Sequence, residues 1–193
     1  MSALGRLAND PRVYDAVQAL AGAGKVRERL RPHTSSFAGT RVLDVGAGTG
    51  GYVSVVPDPA EYVAVDLDEA QLARLAEKWP HVTTQVGDAT KLAYEPGSFD
   101  NALCTFLVHH LDDEGLAAFT AALRTAVRDR LVLVDPLRAE RRLRSRLLWS
   151  IDGVSHPRRA DELLASVGRD FTIEHEERFA IHHAYLLCVA RPR

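Results

Sequence analysis

The sequence predicts an α/β fold: a single-domain, three-layer sandwich on a mainly parallel seven-stranded sheet that ends in a C-terminal antiparallel hairpin strand. Short apolar runs rich in β-branched residues alternate with stretches of helical spacing, the order that gives parallel strands joined by crossover helices. The strand Arg41-Val42-Leu43-Asp44-Val45 runs straight into Gly46-Ala47-Gly48-Thr49-Gly50-Gly51. Such a glycine turn lets a bound ligand come within contact distance of bare backbone. The last two strands, about Phe171 to Phe179 and Tyr185 to Ala190, are separated too briefly for a helix and pair as a hairpin.

At 193 residues the chain fits one domain, 1–193, with a full core. A formal charge of -2 and an apolar fraction of 46% indicate neither a basic nucleic-acid surface nor an acidic disordered chain. Cys104 and Cys188 each sit in an apolar run, too few for a disulfide framework or a zinc site. A reducing cytoplasm is the expected location, because neither an N-terminal h-region nor a run of about 18 apolar residues is found.

The glycine turn fits two patterns. As Gly46-x-Gly48-x-x-Gly51 it is the dinucleotide fingerprint; as Asp44-x-Gly46-x-Gly48-x-Gly50 it carries a carboxylate two residues before the first glycine. Asp44 decides between them, since it repels a pyrophosphate and attracts a cationic ligand. The next strand, Glu61 to Asp66, ends in an acid about 20 residues beyond the glycines, the spacing at which a carboxylate accepts hydrogen bonds from ribose hydroxyls. Asp68 reads as the N-cap of the following helix, with Leu72, Leu75 and Ala76 inward and Pro80 as its end. A third strand, Val82 to Val86, leads into Gly87-Asp88-Ala89.

With these residues in this order the chain resembles the class I S-adenosylmethionine-dependent methyltransferases, whose first motif is similar to VLDVGAGTG here. The resemblance implies a Rossmann-like fold and S-adenosyl-L-methionine as cofactor, with S-adenosyl-L-homocysteine as product. It implies a cofactor site built from Asp44, Gly46, Gly48, Gly50, Asp66, Leu67, Asp88, Ala89 and Thr105. In that family the Gly-Asp-Ala segment serves the adenine, so Asp44, Asp66 and Asp88 together favour the methyl donor over a nicotinamide cofactor. N-terminal helices form a lid in similar enzymes, and Tyr14 belongs to it by the same reasoning. The expected division is residues 1–36 as helical lid, 37–135 as cofactor-binding core and 136–193 as substrate insertion and hairpin.

The lid reads as one helix over Asn9 to Ala21 and a second from Lys25 to about Arg31, stopped by Pro32. The segment to Pro59 carries Pro57 and Pro59, so the first crossover helix is brief. The apolar run Ala102 to Val108 reads as a strand buried on both faces, followed by His109-His110-Leu111 and a helix capped by Asp112 or Asp113 that reaches Val127. Strand five, Leu131 to Val134, ends at Asp135-Pro136, and a last helix spans Asp161 to Val167. Between them Arg138, Arg141, Arg142, Arg144 and Arg146 face Leu143, Leu147, Leu148 and Ile151. This basic amphipathic stretch suits a solvated face, a membrane-surface element or a wall for an acidic or phosphorylated substrate. Trp149, Asp152 and His156 belong to the same insertion.

The implied reaction is in-line displacement on the donor's methyl group by a substrate O, N, C or S atom. Alignment and exclusion of water dominate such chemistry, and a base is needed only for a nucleophile whose proton has a high pKa. His110, His182 and His183 are the candidates for it; no metal ligand set is read. Cys104-Thr105-Phe106-Leu107 stands where a nucleic-acid methylase would carry Asn-Pro-Pro-Tyr, and with the near-neutral charge this favours a small-molecule acceptor, without nucleic acid or a membrane span. An RNA- or protein-modifying enzyme and a non-catalytic donor-binding protein are the alternatives.

Overall fold

The computed structural model describes residues 23–138, 156–181 and 184–193. Tyr14 and the helix read around it, the arginine-rich stretch beyond Arg138, Trp149, Asp152, His182 and His183 lie outside the described residues. Helix α1 (Ala23–Thr34) precedes β1 (Arg41–Val45), and then come β2 (Glu61–Asp66), α2 (Glu69–Lys78), β3 (Thr83–Val86) and β4 (Phe99–Thr105). The chain continues through α3 (Asp113–Ala126), β5 (Val127–Pro136), α4 (Ala160–Val167), β6 (Phe171–Ala180) and β7 (Ala184–Pro192).

The strands form one seven-stranded sheet in the order β3-β2-β1-β4-β5-β7-β6. The first five pair in parallel, and β7 runs antiparallel to both β5 and β6. Side chains alternate across the pleat, so β1 feeds two cores. Leu43 and Val45 join Leu116, Phe119 and Leu123 of α3 and Leu163 and Val167 of α4. Val42 joins Val26 and Leu30 of α1 and Leu72 and Leu75 of α2 on the other face. Helices thus cover the sheet on both sides, which is the three-layer sandwich expected.

Several boundaries differ from the sequence reading, each for a local reason. Helix α1 continues past Arg31 and holds Pro32 in its last turn, where the ring removes a single intrahelical donor. Buried Leu30 and Thr34, the latter donating to Leu30 O and Val55 O, hold that turn against the sheet. The first crossover is reduced to a 3-10 turn, Val53–Val55. Strand β4 begins earlier and ends earlier than its apolar run: Asn101 is tolerated inside because its amide donates to Thr40 Oγ1 at 3.0 Å, and Phe106, at φ +58°, turns the chain away. Val108 therefore belongs to a 3-10 turn, Val108–His110, and not to the strand. Val127 caps α3 and opens β5, so the helix passes into the strand without a loop.

Phe119 is fully buried and Asp112 Oδ1 accepts from Gly115 N at 2.7 Å as the N-cap of α3. Urea denaturation is expected to register a loss of about 3–5 kcal/mol for Phe119→Ala and about 1 kcal/mol for Asp112→Ala.

Candidate functional site

The carboxyl ends of β1, β2, β3 and β4 gather the predicted cofactor residues. Gly46, Gly48 and Gly50 have φ of +76°, +53° and +74°. A Cβ on Gly46 would meet Leu107 Cβ at 2.9 Å, on Gly48 the Gln71 side chain at 2.9 Å, and on Gly50 Leu75 Cγ at 2.8 Å. Gly51 has neither a positive φ nor a neighbour within 4 Å. The backbone thus uses the glycine pattern that starts from Asp44 and leaves the third glycine of the dinucleotide fingerprint without its packing role.

Asp66 ends β2 and ties the turn to its own strand, its Oδ2 accepting from Gly48 N at 2.8 Å and its Oδ1 from Asp68 N at 3.0 Å. Gly46 N and Ala47 N both donate to Val65 O, at 2.8 and 3.2 Å. Register pairs Asp66 with Val86, which brings Asp88 to the adjacent strand end. Asp88 caps the short turn Ala89–Lys91, accepting from Thr90 N and Thr90 Oγ1 at 2.9 and 2.7 Å. The Thr90 hydrogen bonds, with Lys91 beside them, hold its carboxyl down at about 2. Leu67 is 70% exposed between these acids, Ala89 is buried, and Thr105 is buried at the end of β4. A large apolar side chain left bare among polar ones suits contact with a ligand's flat apolar face.

Asp44 is different in kind. It is 1% exposed, Tyr62 Oη donates to its Oδ2 at 2.7 Å, and its Oδ1 has no hydrogen-bond partner. Burial pushes its pKa up to about 7, with the Tyr62 hydrogen bond opposing and the charge of Asp66 adding to the rise. A buried acceptor without a donor costs about 1–3 kcal/mol, which a cationic donor would offset.

The turn after β4, which carries the candidate His110, also holds a buried histidine–carboxylate pair. His109 is 4% exposed and its Nδ1 lies 3.0 Å from Oδ1 of Asp135, itself buried at the end of β5. Burial raises the pKa of Asp135 and His109 opposes that rise. The ring of the exposed His110 lies tilted by 43° against His109, with centroids 4.0 Å apart. Arg158 is also buried and staples the returning insertion to this turn, donating to Val108 O at 3.0 Å, Leu111 O at 2.8 Å and Asp113 Oδ1 at 2.7 Å. His156 N donates to His109 O in the same place. His109 follows the end of β4 and Asp135 lies at the end of the neighbouring β5. Phe106 stands at the same edge, its ring 5.5 Å from Tyr52 and 5.7 Å from Tyr185. Tyr185 pairs with Pro136, so the start of β7 reaches this edge too.

Residues 42–130 match the methyltransferase domain family. A demethylmenaquinone methyltransferase of Beutenbergia cavernae is 31% identical over 99 residues, which are 50% of this chain and 41% of that protein. The chain spans half or less of the length of the curated relatives it matches. Among solved structures, magnesium protoporphyrin IX methyltransferase of Synechocystis PCC 6803 with bound S-adenosylhomocysteine superposes with a TM-score of 0.71 at 18% identity, over 92% of this chain and 84% of that one. Geranyl diphosphate methyltransferase in complex with S-adenosylmethionine gives 0.72 at 15% identity, over 88% and 85%. Less than half of the chain therefore matches that family, and the fold as a whole is that of these methyltransferase structures.

The raised pKa of Asp44 sets a sign for stability. Below about pH 4 the group is protonated in both states, and its contribution is complete; as pH rises to about 7 the unfolded chain ionises first and that contribution is lost. In urea denaturation from pH 4 to 8 the wild type is expected to lose up to about 4 kcal/mol relative to Asp44→Asn.

Proposed function

We propose that the chain is an S-adenosylmethionine-dependent methyltransferase acting on a small-molecule acceptor with an apolar or aromatic body. The observation that carries the reading is the unpartnered Oδ1 of buried Asp44, set beneath a turn whose three glycines hold positive φ. The residues fit the donor: Asp44 would take its ammonium group, Asp66 its ribose hydroxyls, and Leu67, Asp88 and Ala89 its adenine, with Thr105 flanking the turn. When bound, S-adenosylmethionine supplies an electrophilic methyl on a sulfonium. Asp66 accepts from Gly48 N and Asp68 N with one oxygen each, and each oxygen keeps a lone pair for a hydroxyl donor.

On the acceptor side, Phe106 with Tyr52 and Tyr185 offers an aromatic wall that orients a flat ring. His109, held by Asp135, fixes the turn that presents His110, and His110 is the group able to take a proton from an acceptor hydroxyl. The relatives named for demethylmenaquinone, magnesium protoporphyrin IX and geranyl diphosphate support a small-molecule acceptor.

Calorimetry with S-adenosylhomocysteine and with NAD tests the donor; binding of the first and not the second is expected. Asp66→Ala should weaken S-adenosylhomocysteine by about 1–3 kcal/mol through lost charge-assisted hydrogen bonds. Because Asp44 must ionise to meet an ammonium group, affinity should rise from pH 5.5 to 7.5 and stay flat in Asp44→Asn. Incubation of cell extract with labelled donor is expected to label metabolites, and labelling confined to RNA or protein would refute the small-molecule acceptor.

A further inference from the structure

The last turn of α1 meets β6, the outer strand of the sheet. His33, in that turn, lies against β6, and its ring stacks on His175 with centroids 4.7 Å apart. Glu177 follows His175 by two residues and so shares its face of the strand. One ligand atom from each of His33, His175 and Glu177 falls within 4.8 Å of the others. Among the described residues it is the one such group of histidine, cysteine and acidic side chains close enough to share an ion. Imidazole is borderline in softness, and two imidazoles with one carboxylate suit zinc better than magnesium or calcium, which take oxygen ligands.

We propose that His33, His175 and Glu177 form a zinc site that cross-links α1 to the edge strand β6. Tetrahedral zinc at about 2.1 Å from its ligands needs donor atoms about 3.4 Å apart, a contraction that side-chain rotation supplies. The three residues are half-buried or exposed, so an ion has a path in and water completes the coordination. Arg29, one turn before His33, pairs with Glu177 and is the competitor that an ion must displace. Its guanidinium already lies over the Phe179 ring at 4.7 Å, so it retains a partner when it lets go. Arg130 also acts electrostatically on His33 and opposes a cation there. The bound ion would stabilise the folded chain by mass action, because the two segments meet only in the fold.

Zinc chloride titrated into chelator-treated full-length protein, followed by calorimetry and by melting temperature, tests the site. One zinc per chain is expected, with His33→Ala and His175→Ala each weakening it by at least about tenfold. His81→Ala, remote from the cluster, should leave it unchanged. Arg29→Gln frees Glu177 and removes a competing charge, so it should tighten zinc, a gain that damage to the fold cannot mimic. Absence of wild-type binding, wild-type affinity in either histidine variant, or weaker binding in Arg29→Gln would each overturn the proposal.

Discussion

The hydrogen bond from Gly48 N to Asp66 Oδ2 joins two strand ends that the chain places 18 residues apart. It fixes the glycine turn against β2, while Gly46 N and Ala47 N donate to Val65 O and Gly50 N closes the turn on Ala47 O. Three positive φ values in five residues are held here because contacts on each side close in: Leu107 over Gly46, Gln71 over Gly48, Leu75 and Trp79 over Gly50. A side chain at Gly46 would push against the turn after β4, and one at Gly48 or Gly50 against α2 and Trp79, so both neighbours depend on bare backbone at these three positions. The proposed donor site, the start of α2 and the approach of Leu107 all follow from that one constraint.

Buried polar groups mark the remaining architecture. Asp44 with Tyr62, and His109 with Asp135, sit in a sheet whose neighbouring positions are aliphatic, and each places a polar pair under the same edge. Such pairs seldom add net stability over a well-packed apolar substitute, but they fix orientation. Arg158 acts in the same way at larger scale: five donors on one rigid fork, three of its acceptors on the turn and helix start after β4, hold the end of the insertion to the site.

Much of this was legible in the sequence because it depends on local chemistry. The strand-turn order, the acids at Asp44, Asp66 and Asp88, the Asp68 cap and the closing hairpin each follow from neighbouring residues, and the structure has them. What was not legible depends on distant partners. Pro32 inside α1 is tolerated because Leu30 and Thr34 are buried against the sheet, and no local rule foresees that. The end of β4 at Thr105 is set by the left-handed Phe106, whose ring reaches Tyr52 and Tyr185. The pairing of His109 with Asp135 required knowing that β4 and β5 are neighbours, with Thr105 opposite Val134.

The position of β7 between β5 and β6 has its own consequence for biogenesis. Strand β6 is made before β7, yet it reaches the sheet only through β7, and β5 presents an unpaired side until β7 arrives. The sheet is therefore completed at an interior position by a strand made after both of its neighbours, and without it the backbone of Val132, Leu133 and Val134 lacks its partner on that side.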